Sequence, residues 1–434
     1  MLVLLGFLII LGLIYFVFLG KSSPVVAFII LPLIAVLILG FSGGEIADFI
    51  MTGIDQTWQI AVLFIFSITY FGIMNDAGLF DKVINKLLYF SQNRVTAIYI
   101  STVLIAMVAH LDGSGATTFI ITIPALLPIY LKLGLKPTTL ILLVASAAGA
   151  MNFVPWGGST TRTASIIGIN PTELWIELLP VQVFAMLLAI GLAIILPKIE
   201  KVDLKNTQGE GFKVSTLEFT EEQLKLKRYK LLPFNAILTI ALVIMMFAFK
   251  DLPLFVIFMI GVAIALPLNY RTLKEQHARI EAHASSAILM ATIILSAGVF
   301  LGVMSESGMI TEMANAVVGI LPDFMGQFVH ILVALFAAPI HLVVGTDPYY
   351  YGLMPVIENV AQTFGISSKS VGIAMIIGEA PTWVVSAVAP AVYLAIGLAG
   401  VEYKEHLKYS FKYTWAMSIL MVAFAIVIGL IPLK

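Results

Sequence analysis

Apolar runs long enough to cross a bilayer recur along this chain, at about 2–19, 24–40, 57–75, 172–196, 231–249, 252–268, 284–303 and 413–431. A bilayer core takes roughly 17–25 apolar residues per helix, and a soluble fold cannot hide so much apolar surface. The balance of the 434 residues agrees, with 60% hydrophobic and only 11% charged, against roughly 25% charged in an average soluble domain. The first run has no basic segment or small-residue cleavage site and exceeds a signal h-region, so it reads as a retained span. The expected fold class is an all-α polytopic membrane protein, multi-pass in the cell (inner) membrane. A net charge of −1 gives no reason to expect a nucleic-acid partner. The lack of cysteine removes disulfides, cysteine-based zinc sites and iron–sulfur clusters.

Two further stretches, about 95–168 and 324–400, are apolar but interrupted by Gly, Pro, Asp and Thr. The only long hydrophilic segment, 198–230, divides the chain, and an amphipathic helix is expected near its end. The halves match in order. FGIMNDAGLF (71–80) aligns with LGVMSESGMI (301–310) at a spacing of 230; His110-Leu111, Pro124 and Gly134 align with His341-Leu342, Pro355 and Gly365 at 231; Gly168 and Glu173 align with Gly400 and Glu405 at 232. Asp76 and Glu306 align near span ends and read as interfacial.

Basic residues set the topology, because cytoplasmic loops carry the excess of Lys and Arg. Let 198–230 be cytoplasmic, and let each interrupted stretch be a re-entrant hairpin followed by one broken span. Twenty of the 24 Lys and Arg then face the cytoplasm and three face out, with Arg162 inside the membrane. The halves are thereby oppositely oriented, a plan that recurs in secondary transporters. The expected organisation is scaffold spans at 1–56, a first inverted repeat at 57–197 (hairpin 95–131, broken helix 137–168) and the cytoplasmic loop at 198–230. Linking spans at 231–283 and a second repeat at 284–434 follow, the latter with its hairpin at 324–364 and broken helix at 369–400.

Four polar strings interrupt helix at membrane depth: HLDGSGATT (110–118), NFVPWGGSTTRT (152–163), HLVVGTDPYY (341–350) and EAPTWVVSAVAPAV (379–392). Unpaired backbone groups each cost several kcal/mol in hydrocarbon, so such breaks need protein, water or a ligand to satisfy them. Helix N-termini facing a pocket favour anions. The expected substrate-binding set lies at these helix starts: Ser114, Gly115, Thr117, Thr118, Gly157, Gly158, Ser159, Thr160, Arg162, Thr346 and Pro390. The hydroxyls, Thr161 included, suit carboxylate oxygens or back-bond within their helices. Arg162 can grip a carboxylate bidentately or form an internal ion pair, for instance with Asp112 or Glu379.

Asp112, Asp347, His110, His341 and Glu379 are the candidates for a coupling ion or proton. Charged groups at membrane depth are functional by default. Asp112 can bind a hard cation, carry a proton, or only cap the returning helix arm. Asp347, followed by Pro348, has the same choices with a stronger cap reading. The histidines are proton carriers or simply packed and hydrogen-bonded. No Walker A string is present, so ATP is not the power source, and no catalytic constellation suggests an enzyme. The residues describe a carrier of a small solute.

At LDGSGATT, MNFVPWGGSTTR, FGIMNDAGLFD and AVYLAIGLAGVEYKEHLKYSFKY the chain resembles the citrate–metal–proton symporter family (CitMHS) of the ion transporter superfamily, over nearly its whole length. The resemblance implies a proton-coupled importer of citrate complexed to a divalent metal, Mg or Ca. It implies no resident cofactor. It also implies an elevator: a dimerising scaffold, hence a homodimer, and a moving domain that carries both hairpins. Members commonly have a second Asp where this chain has Ser114, and Pro where it has Ser159. Loss of that acid weakens the case for direct metal binding at Asp112. A sodium-coupled carrier of another di- or tricarboxylate and a sodium/proton exchanger stay open.

The topology has a direct test, and the absence of native cysteine makes it clean. Single cysteines replacing Ser215 and Glu275 should react with an impermeant thiol reagent only from the cytoplasm, and those replacing Asp48 and Lys250 only from outside. Labelling at position 275 from outside would overturn the opposed orientation of the halves.

Overall fold

A computed structural model describes residues 1–18, 22–90, 94–201, 219–249, 251–387 and 389–433. The chain opens with α1 (Leu2–Phe18) and α2 (Pro24–Leu39), followed by the long α3 (Gly43–Asp76). The short α4 (Asp81–Phe90) leads to a hairpin of α5 (Val95–Ala109) and α6 (Gly115–Lys132). Then come α7 (Pro137–Met151), α8 (Gly158–Ile167) and α9 (Pro171–Ile199). The short α10 (Glu221–Leu226), with a capping box, stands near the end of the central hydrophilic segment. Next are α11 (Leu232–Ala248), α12 (Leu254–Asn269), the long α13 (Leu273–Glu306) and α14 (Met309–Val318). A second hairpin comprises α15 (Asp323–Gly326), α16 (Val329–Leu335), α17 (Ala337–Val344) and α18 (Met354–Thr363). Helices α19 (Ser368–Glu379), α20 (Pro390–Ala399) and α21 (Tyr403–Val427) come last. The described residues contain no strand, and seven of their helices are long and apolar enough to cross a membrane.

Helices α3 and α13 run well beyond the apolar windows at 57–75 and 284–303, each reaching 34 residues. The extra turns are polar, and a capping box starts each helix upstream of its apolar part. Ser42 and Glu45 close the first box, Thr272 and Glu275 the second. Those caps hold the Glu45 and Glu275 carboxyls below their ordinary range, chiefly by hydrogen bonds from Ser42 and Thr272. At about 1.5 Å per residue such a helix is roughly 51 Å long. The hydrocarbon layer is only about 30 Å thick, so these helices tilt or project beyond it. The last span also starts earlier than its apolar run, at Tyr403, because Lys404, Glu405, Lys408 and Lys412 are helical too.

Helices α3 and α13 pack antiparallel through glycine. A Cβ on Gly53 would lie 1.9 Å from the Gly298 oxygen, and one on Gly302 would lie 2.1 Å from the Phe49 oxygen. Backbones this close need residues without side chains. The helices form a wall with α1 and α2, whose core includes Leu13, Phe28, Val36, Ile294 and Phe300. Another apolar core gathers around α5, α6 and α7, with Tyr99, Phe119, Tyr130, Leu142 and Val144 inaccessible.

Local geometry recurs at the spacing of the sequence matches. Helices α11, α12 and α13 begin 230 residues after α1, α2 and α3. Left-handed glycines follow both long helices, Gly78 at φ 86° and Gly308 at φ 80°. Gly168 (φ 71°) and Gly400 (φ 66°) terminate α8 and α20. Two polar clamps join elements at the end from which α4 and α5 start. The buried Glu200 carboxylate accepts hydrogen bonds from Tyr99 (2.7 Å), Thr139 (2.7 Å) and Tyr409 (2.9 Å), uniting α9 with α5, α7 and α21. Lys227 pairs with Asp81 at 2.8 Å, tying the end of the central segment to α4.

If the glycine seam sets the distance between α3 and α13, Gly53→Val should lower the detergent melting temperature sharply or prevent folding. Overpacking costs roughly 1–3 kcal/mol and sometimes more, and here the obstacle is backbone. Gly191→Ala, on α9 with nothing within 4 Å of the new methyl group, should be neutral or slightly stabilising by helix propensity. Thermal unfolding of both variants decides.

Candidate functional site

The first hairpin turns by leaving α5 through a single tight turn, His110–Asp112, and reversing at Gly113 with φ 74°. Asp112 Oδ1 accepts a hydrogen bond from the Ser114 amide at 2.8 Å, which closes the turn. Ser114 Oγ then accepts from the Thr117 amide at 3.3 Å as the N-cap of α6. Thr118 Oγ1 donates back to the Ser114 carbonyl at 2.8 Å. His110 lies beneath, with Nδ1 2.7 Å from Thr118 Oγ1 and Nε2 2.9 Å from Asn152 Oδ1.

The first helix break separates α7 from α8. Thr160 Oγ1 donates to the Phe153 carbonyl at 2.9 Å and Thr161 Oγ1 to the Gly157 carbonyl at 2.9 Å. These two hydroxyls satisfy backbone carbonyls at the break. A Cβ on Gly157 would lie 2.4 Å from the Asn152 oxygen, so the fold of the break excludes other residues there. Trp156 Nε1 donates to the Leu111 carbonyl at 2.7 Å, fastening the break to the hairpin turn.

Arg162 projects from α8 to the second hairpin. Its Nη2 and Nε lie 2.8 Å and 3.0 Å from Asp347 Oδ1, and both side chains are largely buried. The guanidinium is thus ion-paired, and its partner is Asp347 rather than Asp112 or Glu379. A Cβ on Gly158 would sit 2.6 Å from Arg162 Nη1, so glycine there makes room for the guanidinium. Asp347 follows Gly345 (φ 77°) and Thr346 and precedes a widened π-helical turn, Pro348–Leu353.

Glu379, the last residue of α19, is the deepest acid of the site. Its Oε2 accepts from Tyr350 OH at 2.8 Å and Ser159 Oγ at 3.0 Å. Its Oε1 lies 3.3 Å from His341 Nε2, which is itself 3.2 Å from Thr346 Oγ1. Ala387 N donates to the Leu342 carbonyl at 3.2 Å. This links the second break to the second hairpin, 231 residues after the Trp156–Leu111 link.

The candidate residues therefore gather in two neighbourhoods. Ser159, Arg162, His341, Thr346, Asp347 and Glu379 form one polar cluster drawn from both halves. Asp112, Ser114, Gly115 and Thr117 form another at the first turn, with His110 and Thr118 below. Gly115 faces the start of α20, since a Cβ there would lie 2.8 Å from the Trp383 ring and 3.7 Å from Ala391 Cβ, beside Pro390. Sequence reasoning missed Tyr350, Asn152 and Trp383. The TyrTyrTyr run after Asp347-Pro348 was the available signal for Tyr350. Trp383 Nε1 is buried with no hydrogen-bond partner. Asp76, the last residue of α3, accepts from Arg279 and lies 2.9 Å from His283 Nε2 on α13. A cavity of about 340 Å³ opens past the end of α8, lined by Asp55, Gln59, Ser165, Asn170 and Asp251 among others. Ser165 Oγ donates to the Arg162 carbonyl at 2.8 Å, so the cavity ends one helical turn from the ion pair.

The profile of the citrate transporter family (CitMHS) matches residues 7–389. A citrate transporter of Bacillus subtilis (strain 168) is 34% identical over 431 residues, 99% of this chain and all of the relative. A Mg(2+)/citrate complex secondary transporter of the same organism is 35% identical over 439 residues, spanning both chains in full. The crystal structure of the Alcanivorax borkumensis YdaH transporter, described as having an unusual topology, shares the fold. Its TM-score is 0.59 at 14% identity, over 88% of this chain and 87% of that one.

Removing one member of a buried ion pair costs roughly 3–5 kcal/mol, because a charge is stranded. Arg162→Ala should accordingly depress the melting temperature, and Arg162→Ala with Asp347→Asn should recover most of it. Equal melting temperatures for the single and double variants would mean that the pair carries no structural weight.

Proposed function

The chain belongs to the citrate transporter family, and from that premise we propose that it imports citrate as its complex with a divalent metal, Mg or Ca, by proton symport. It is a multi-pass membrane protein and a transporter, not an enzyme, as its family and relatives are; in bacteria such a protein lies in the cell membrane.

One observation carries the reading: the ion pair between Arg162 and Asp347, held across the two halves where the helix breaks meet. A guanidinium suits a citrate carboxylate bidentately, and the pair releases it when substrate arrives. The helix start at Ser114 adds its hydroxyl and the start at Ser159 adds backbone amides, the Ser159 hydroxyl being given to Glu379. Among the described residues no three His, Cys, Asp or Glu side chains converge as a metal-binding group. A cargo metal must then bring most of its ligands with it, as a chelate does, with Asp112 as an added oxygen ligand.

We read the halves as inverted repeats, α1–α9 and α11–α21, each with a re-entrant hairpin and a broken helix. In this reading α1–α3 and α11–α13 are the scaffold, which also forms the homodimer contact. The hairpins, broken helices, α9 and α21 move along it as an elevator. Support comes from the turns of both hairpins, which touch the long helices α3 and α13 directly. Trp156 of the first break also packs on Phe71 and Phe258, with ring centroids 5.3 Å and 5.4 Å away.

The test is uptake of labelled citrate by proteoliposomes with magnesium, calcium, sodium and pH varied independently. Concentrative uptake that needs Mg or Ca and follows an inward proton gradient is expected. Uptake driven by sodium alone would replace the proton, and no uptake of any citrate species would end the proposal. Losing a buried charged contact costs roughly 2–5 kcal/mol, about 30- to several thousand-fold in affinity. Arg162→Lys, which keeps the charge but not the fork, should therefore transport weakly, with affinity lowered more than turnover.

A further inference from the structure

The molecule contains its own control for histidine chemistry. His110 and His341 hold matched places before the two hairpin turns, yet their partners differ. His110 meets only neutral groups, Thr118 Oγ1 and Asn152 Oδ1. His341 meets the carboxylate of Glu379. Only the second half thus buries an acid beside its histidine.

That acid lies out of solvent, with side-chain exposures of 0% for His341 and 1% for Glu379. The described groups that face it are these. Tyr350 and Ser159 donate to Oε2, and His341 approaches Oε1. Tyr349 packs on the His341 ring at 5.9 Å and gives its hydroxyl to the Met375 carbonyl. From α21, Ser418 donates to the Gly378 carbonyl and brings no charge. Arg162, one turn beyond Ser159, is neutralised by Asp347. An unpaired carboxylate in such surroundings is very costly, and a proton shared with His341 at 3.3 Å would relieve that cost. It can sit as imidazolium with carboxylate or as imidazole with carboxylic acid. His341 Nδ1 is buried and has no hydrogen-bond partner, which leaves one ring nitrogen uncommitted for proton exchange.

We propose that the His341–Glu379 pair is the site of the coupling proton, separate from the place where Arg162 takes the substrate carboxylate. The inference builds on the symporter reading above. Ser159 and Arg162 share α8, and Thr346 and Asp347 are neighbours, so both events act on the same two segments. Losing the proton makes the cluster one charge more negative beside an anionic substrate, which favours binding the two together. Linkage then requires that each strengthen the binding of the other.

Glu379→Gln keeps the size and hydrogen bonding of the side chain but cannot exchange a proton. In the reconstituted full-length protein the variant should retain the citrate-induced melting shift and citrate–citrate counterflow. It should lose accumulation driven by a pH gradient, and its exchange should no longer depend on pH. Accumulation on a pH gradient by the variant overturns the proposal. Loss of both melting shift and counterflow also overturns it, since Glu379 then holds the site together or touches substrate. A substrate-free readout keeps this apart from the transport reading: infrared difference spectra across a pH titration should show a carboxyl band that Glu379→Gln removes. If wild-type protein shows that band but moves no citrate, the citrate reading fails and the proton site stands. If the band is absent, the proton site fails whatever the cargo.

Discussion

Backbone that leaves the helix inside an apolar layer must find its hydrogen bonds within the protein, and the rest of this structure is arranged around that demand. The solution is largely hydroxyls and cross-links between hairpins and breaks. Thr160 and Thr161 return to the carbonyls of the first break, and Thr382 Oγ1 returns to the Glu379 carbonyl at 2.9 Å. Each hairpin turn offers one carbonyl, Leu111 or Leu342, and each break supplies one donor, Trp156 Nε1 or Ala387 N. A hairpin and its break are thereby one unit. Side chains anchored on them, including Ser159, Arg162 and Glu379, inherit fixed positions.

The near-equivalence of the halves makes their differences informative. At one end of the long helices Gly53 packs on Gly298 and Gly302. The equivalent contact at the other end, 230 residues on, puts His283 against Gly72, where a Cβ would lie 2.5 Å from the ring. His283 in turn meets Asp76, which also pairs with Arg279. Glycine at one crossing and histidine at the other break the symmetry in the wall, as Asn152 and Glu379 break it in the site.

The charges of the site are economical. Arg162 and Asp347 pair at 2.8 Å, and His341 lies 3.3 Å from Glu379. Of the hydroxyls around the site, Thr160 and Thr161 are committed to backbone, and Ser159 and Tyr350 to the Glu379 carboxylate.

Much of this was readable from residue order alone, because the bilayer allows so few solutions. Long apolar runs admit only helices, and Gly, Pro and Asp inside them mark breaks at the observed places. The ordered matches at spacings of 230 to 232 predicted recurring elements. Polar helix ends were lost to hydropathy, which does not count capping boxes, so α3 and α13 were foreseen too short. Pairing was the larger gap. Residue order singled out Arg162, Asp347, His341 and Glu379 but could not say which acid meets which base. Their separations, such as 185 residues between Arg162 and Asp347, are bridged only when two hairpins and two broken helices pack together. It is that packing which leaves Thr160 and Thr161 to backbone and brings Tyr350 to Glu379. Contacts of this kind depend on distances in space, and a linear pattern of hydrophobicity and charge carries no information about them.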